Sequence, residues 1–132
     1  MNAPLMACDV GLKRIGLALC VKGVVLPLEP IMRTNRQQAS QALRALLASR
    51  QPAKLLVGLP HARYANTRQR VLHFIGLLDF SPIVFVDEED TSIQALDRIG
   101  HLPYAKRQSA RRNGILDSLS ACAILERYLS QT

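Results

Sequence analysis

A chain of 132 residues, 48% of them hydrophobic, has the length of one domain with one buried core, so the sequence predicts a single domain over residues 1–132. Aromatic residues make up 5% and Trp is absent, which argues against aromatic platforms that stack on bases. The net charge is +7 and most of the 17 cations are Arg, whose planar fork grips phosphate at two points; the excess points to a polyanion, nucleic acid first, over a basic surface with no dedicated ligand.

Asp9 is the first residue that packing does not explain. Ala7-Cys8-Asp9 ends an apolar run, Val10-Gly11-Leu12-Lys13-Arg14 reads as a turn with two adjacent cations, and Ile15 to Val21 is a second apolar strand. Strand interiors disfavour Asp, so Asp9 either bonds within the turn or holds something that needs negative charge. Lys22-Gly23 then reads as a two-residue hairpin connection into Val24-Val25-Leu26-Pro27-Leu28, making the first three strands an antiparallel meander with Pro27 on an edge.

From Arg36 to Ser49, Ala39, Leu43, Leu46 and Leu47 fall at helical spacing, and Gln51-Pro52 ends the helix. Lys54 to Pro60 reads as a buried strand running into a Gly-Pro loop. Val71, Phe74, Ile75 and Leu78 mark a second helix, broken by Phe80-Ser81-Pro82, whose start carries Arg63, Arg68 and Arg70. Ile83 to Val86 is a strand ending on Asp87-Glu88-Glu89-Asp90. Thr91 or Ser92 then caps a helix carrying Ile93, Leu96 and Ile99. Gly100 to Arg112 is a basic loop or fraying helix start. Leu116, Leu119, Cys122, Ala123 and Leu125 to Leu129 form a final helix, apolar around most of its girth. This order predicts an α/β domain with a mixed five-stranded sheet, its first three strands antiparallel, and helices on both faces.

Cys8, Cys20 and Cys122 are odd in number and sit inside apolar runs, so they read as core thiols of a reducing compartment. No secretory leader pattern and no apolar run near the ~20 residues of a membrane helix is present, so the expectation is a soluble cytoplasmic protein with no membrane partner. His61, His73 and His101 lack metal-ligand spacing and read as surface or packing residues; Asp79 and Asp97 read as solvated acids on helix faces.

Three acids fall at element ends: Asp9, Glu88 (with Asp87) and Asp117. If they converge, two charges ~5 Å apart at an effective dielectric of ~20 repel by ~3 kcal/mol, which a divalent cation on hard oxygen ligands offsets. The alternative for Asp87, Glu88 and Asp117 is an ordinary acid at the positive end of a helix dipole.

Asp9-Val10-Gly11-Leu12-Lys13-Arg14-Ile15-Gly16 resembles the opening D-x-G-x-x-R-I-G signature of the YqgF/RuvX family of pre-16S rRNA nucleases, also described as Holliday-junction-resolvase-like. Val57-Gly58-Leu59-Pro60 is similar to its mid-chain strand end, Val86-Asp87-Glu88 to its D-E-R strand end, and Asp117-Ser118-Leu119-Ser120-Ala121 to its closing D-x-L-A-A helix. The resemblance spans nearly the whole chain in order and spacing. It departs at Glu89, where the family usually has Arg, and after Pro60, where His61-Ala62-Arg63-Tyr64-Ala65-Asn66 replaces an Asn/Asp-Gly-Ser stretch.

The resemblance implies an RNase H-like fold with Asp9, Glu88 and Asp117 as catalytic residues and ligands of Mg²⁺ or Mn²⁺. Lys13 and Arg14 would lie beside the first acid, facing the phosphate backbone. The expected function is metal-dependent hydrolysis of structured RNA, with 5′-end processing of pre-16S rRNA in ribosome biogenesis as the task. Arg63, Arg68, Arg70, Lys106, Arg107, Arg111 and Arg112 would grip the strand. A branched-DNA resolvase, which cuts as a symmetric dimer, and a non-catalytic RNA-binding assembly factor are the alternatives; the sequence allows a monomer or a homodimer.

Overall fold

Five strands form one sheet in the order β3-β2-β1-β4-β5, from β1 (Leu5–Val10), β2 (Arg14–Val21), β3 (Val24–Met32), β4 (Lys54–Leu59) and β5 (Ile83–Asp87). The first three pair antiparallel, and β1·β4 and β4·β5 pair parallel, so the sheet is mixed as the order of elements predicts. This is a computed structural model, describing residues 3–87 and 115–131. Glu88, Glu89, the helix expected around Ile93, Leu96 and Ile99, and the basic segment with Lys106, Arg107, Arg111 and Arg112 lie outside the described residues, as do Asp97 and His101.

The β2–β3 hairpin turns on Lys22 (φ 52°) and Gly23 (φ 82°), two successive left-handed residues that match the twist of the strands they join. β3 runs four residues past the expected Leu28 end, through Pro30 to Met32. It is an edge strand, where a missing proline N–H costs no ladder bond. An extra residue in β3 opposite Ile15–Leu17 absorbs the Glu29–Pro30 irregularity.

Helix α1 (Arg36–Arg50) starts at Asn35, whose side chain accepts a hydrogen bond from Gln38 N at 2.8 Å while Gln38 Oε1 accepts one from Thr34 N at 2.9 Å. It ends at Gln51, in the left-handed conformation at φ 49°. α1 and α2 (Ala65–Gly76) cover one face of the sheet. Ala39, Leu43, Leu47, Val71, Phe74 and Ile75 meet Met6, Cys8, Leu17, Leu55 and Val57 there. Asp79, expected on a helix face, instead follows the end of α2 at φ 50°, a conformation Asp tolerates better than most residues.

α3 (Ile115–Ser130) packs on the opposite face with Ala121, Cys122, Ile124 and Leu125 against Ala7, Ala18, Cys20, Leu56 and Val86. Residues 120–125 of α3 are all buried, which accounts for a sequence apolar around most of the helix. All three cysteines are buried free thiols. Among the described residues, no helix is long and apolar enough to cross a membrane.

Candidate active site

Asp9 follows the side-chain alternation of β1, sharing the α3 side of the sheet with Ala7 while Met6 and Cys8 point to the other core. Its cross-strand partner in β2 is Gly16. Gly16 lies directly under the start of α3: a methyl group there would collide with the backbone carbonyl of Asp117 and stand 2.7 Å from Ser118 N. Only a residue without Cβ lets the helix backbone descend this far, which is the structural meaning of a glycine inside an otherwise apolar strand. One backbone position of β2 is therefore flanked by Asp9 in the sheet plane and by Asp117 from above.

Ser118 fixes this contact. Its hydroxyl donates to the carbonyl of Leu28 at 2.7 Å and accepts from Leu17 N at 3.2 Å, tying α3 to both β2 and β3. Ser118 is fully buried, so its hydroxyl finds its partners in the protein. Asp117 itself is half-buried, and its Oδ2 accepts a 2.8 Å hydrogen bond from Arg14 Nε. Asp117 also sits in the first turn of α3, where the helix dipole favours negative charge. Its position therefore agrees with the helix-terminus explanation.

Around this pair the expected residues divide. Asp87 ends β5 opposite Leu59, on the alternation of Ile83 and Phe85 rather than that of Val84 and Val86, which face α3. Glu88, the third expected acid, lies outside the described residues, and among those residues no three His, Cys, Asp or Glu side chains gather as a metal-holding group. Lys13 is exposed on the β1–β2 turn. Beneath Asp9, burial and then the Asp9 charge push the Cys8 thiol up, leaving it protonated and inert.

The expected basic grip also separates into different places. Arg63 is exposed, its guanidinium 5.5 Å from the Tyr64 ring centre. Arg68 is half-buried and donates to the Pro60 carbonyl at 3.0 Å, bracing the loop; with Pro60, His61 and Asp87 it lines a shallow cavity beyond β4 and β5. Arg70 faces a different cavity, against Gly11, in the company of Arg33, Arg36 and His73. Those three are not among the residues the sequence marks for nucleic acid. Their one local signal is the Arg33-Thr34-Asn35-Arg36 cluster at a helix start, which by itself reads as a solvated helix end.

Known proteins bear on this arrangement. Residues 3–131 match the family model described as RuvX: Holliday junction resolvase. A Helicobacter pylori protein named "Putative pre-16S rRNA nuclease" is 52% identical over 128 residues, covering 96% of each chain. Proteins of the same name from Helicobacter hepaticus (46% identical, 98% of this chain and 96% of that one) and Campylobacter jejuni (41%, 95% and 97%) match similarly. Among solved structures, T. thermophilus RuvC in complex with a Holliday junction substrate superposes with a TM-score of 0.59 at 18% identity, over 92% of this chain and 90% of that one. Fowlpox virus resolvase with its junction DNA gives 0.54 at 11% identity, over 97% and 98%. These likenesses identify the fold as RNase H-like.

Proposed function

From the fact that the chain belongs to the RuvX family, we propose that it is a nuclease that hydrolyses phosphodiester bonds in structured RNA, with the 5′ end of pre-16S rRNA as its substrate. The observation that supports this reading is the placement of Asp9 and of the Asp117 backbone around Gly16, where the first two strands and the start of the last helix come together. Asp9 and Asp117 are both half-buried, and the Asp117 carboxylate is held by Arg14 at the start of the second strand.

Asp9 and Asp117 are hard oxygen donors of the kind that suit Mg²⁺ or Mn²⁺, and Glu88, the residue after the end of β5, is the third proposed ligand. Held by these residues, the ion would activate the attacking water and offset charge on the leaving oxygen. Arg14 holds Asp117 through its Nε, and its guanidinium is suited to gripping the scissile phosphate beside that acid. Lys13, on the same turn, is free of the core and suited to the neighbouring backbone phosphate. Such a task implies a nucleic-acid partner and a cytoplasmic location with the ribosome precursor.

The test is Asp9→Asn, assayed on pre-16S RNA with Mg²⁺ or Mn²⁺. Cleavage is abolished by the substitution and by chelation of the metal, while RNA binding stays near wild type. Cleavage at the wild-type rate by the Asn variant overturns the assignment. The family description favours a second substrate, a four-way DNA junction. A side-by-side rate comparison on precursor RNA and junction, together with the mass in solution, separates the two, since paired cuts in a junction require a symmetric dimer.

A further inference from the structure

The cavity beside Gly11 has about 520 Å³ of space between the β1–β2 turn, the start of α1 and one side of α2. Arg33, Arg36, Arg70 and His73 line it together with Thr67, and none of its described lining residues is acidic. The cations are pre-positioned. Arg33 donates through Nη1 to the Gly11 carbonyl, and its guanidinium lies 4.9 Å from the ring centre of Phe74. Arg36 Nη1 is 3.0 Å from His73 Nε2, which holds the two side chains together at the rim of the cavity.

Three guanidinium groups around one cavity repel one another with no carboxylate among the described lining residues. Burial and then the Arg36 charge hold Arg33 below the usual guanidinium value. The cost of assembling them is offset when an anion enters. Thr67, on the first turn of α2, adds a hydroxyl, and Val10, Val71 and Phe74 give the cavity an apolar floor.

We propose that this cleft binds a backbone phosphate of the nucleic-acid strand, flanking the one that is cut. The inference rests on the nuclease reading and deepens it. Val10 and Gly11, the two residues after Asp9, form one wall, and Arg33 N bonds the Lys13 carbonyl at 2.9 Å, so the cleft is built onto the turn that carries the proposed acid. Two residues of strand span ~7 Å. Successive phosphates of a strand lie farther apart than the ~3.4 Å axial rise per step, so this span is about one to two nucleotide steps. Asp9 faces the α3 side of the sheet end and the cleft opens on the α1–α2 side, so a strand wrapping over the end of the sheet reaches Asp9 with one phosphate and the arginine cleft with another a few nucleotides away.

The experiment measures binding of a labelled 20-nucleotide single-stranded RNA, by fluorescence anisotropy at several salt concentrations, to the full chain carrying Asp9→Asn. Arg36→Gln and Arg70→Gln are each added; Arg44→Gln, an exposed arginine of α1 outside the cleft, is the control. Arg33 is left intact because it braces the turn. Each cleft substitution lowers the salt slope by ~0.7 and weakens binding roughly fivefold at 0.1 M salt. Arg44→Gln changes neither. Unchanged slope and affinity in both cleft variants, or an equal loss with Arg44→Gln, overturns the proposal. So does adenosine monophosphate binding as tightly as the RNA and losing affinity with Arg36→Gln, which would make the cleft a mononucleotide pocket. Failure of the nuclease reading is seen separately, as cleavage surviving Asp9→Asn.

Discussion

Gly16→Ala tests whether α3 must rest on β2 for Asp117 to reach its place. The added methyl meets backbone atoms of Asp117 and Ser118, which cannot rotate away as a side chain would, so the whole first turn of α3 has to lift. Overpacking of this kind costs ~1–3 kcal/mol. Lifting the turn also pulls Ser118 from Leu17 N and the Leu28 carbonyl, and a buried amide left without a partner costs ~1–3 kcal/mol more. A net loss of about 3 kcal/mol would lower the urea midpoint by ~1.5 M at a slope of ~2 kcal/mol per M. Cleavage should fall further than stability explains, because displacement of Asp117 by ~1 Å is worth ~100-fold in rate. The measurements are urea unfolding followed by circular dichroism, and cleavage rates well below the unfolding midpoint. Gly76→Ala, at the end of α2 with nothing within 4 Å of the new methyl, serves as the matched control and should gain ~0.5–1 kcal/mol. If Gly16→Ala unfolds with the wild type and cleaves at its rate, α3 does not depend on this contact, and the account of how Asp117 is positioned is wrong.

Ser118→Ala removes the bridge without adding bulk. It should destabilise by ~2–3 kcal/mol, leaving Leu17 N and the Leu28 carbonyl unpaired, whereas Ser118→Thr tests whether a hydroxyl alone restores the loss. Asn35→Ala should cost about 1 kcal/mol in chemical denaturation, through the lost cap of α1. The Cys8 thiol gives a pH dependence. Its value is raised in the fold, so the unfolded chain loses this proton first and binds fewer protons above ~8.5; stability is intact below that pH and falls as pH rises, by about 1 kcal/mol per unit from this group. Unfolding midpoints from pH 7 to 10 should show a shallower decline in Cys8→Ala, and identical slopes in the two proteins would remove Cys8 from the explanation.

Local chemistry makes much of the sheet legible in the chain itself. Lys22-Gly23 suits only a tight hairpin between two apolar runs, Pro27 belongs on an edge, and the 3.6-residue spacing of Ala39, Leu43 and Leu47 specifies a helix face. The end of β3 is not legible in this way. The expected strand ends at Leu28, yet β3 continues through Pro30 to Met32 because one side of it has no neighbouring strand and a bulge absorbs the misfit. Asp79 shows the same limit in miniature: helical spacing extends to Leu78, but the chain leaves the helix at Gly76.

The candidate site divides along the same line. Asp9 and Asp117 stand out as acids at element ends because residue type and position are local properties. Their shared neighbour, Gly16, is decided by strand register and by how closely a helix from the far end of the chain can approach, which no short window of sequence contains. The arginines of the cleft make the point more sharply. Arg33 and Arg36 flank a helix cap and Arg70 sits on a separate helix, so each alone reads as an ordinary surface cation. Hydrophobic periodicity determined that α1 and α2 must each bury one stripe; only packing both stripes on the same face of the sheet set their polar ends against the turn after Asp9. Periodicity is an interaction between neighbours in sequence, whereas the meeting of charges from separate elements depends on the three-dimensional arrangement that burial makes cheapest.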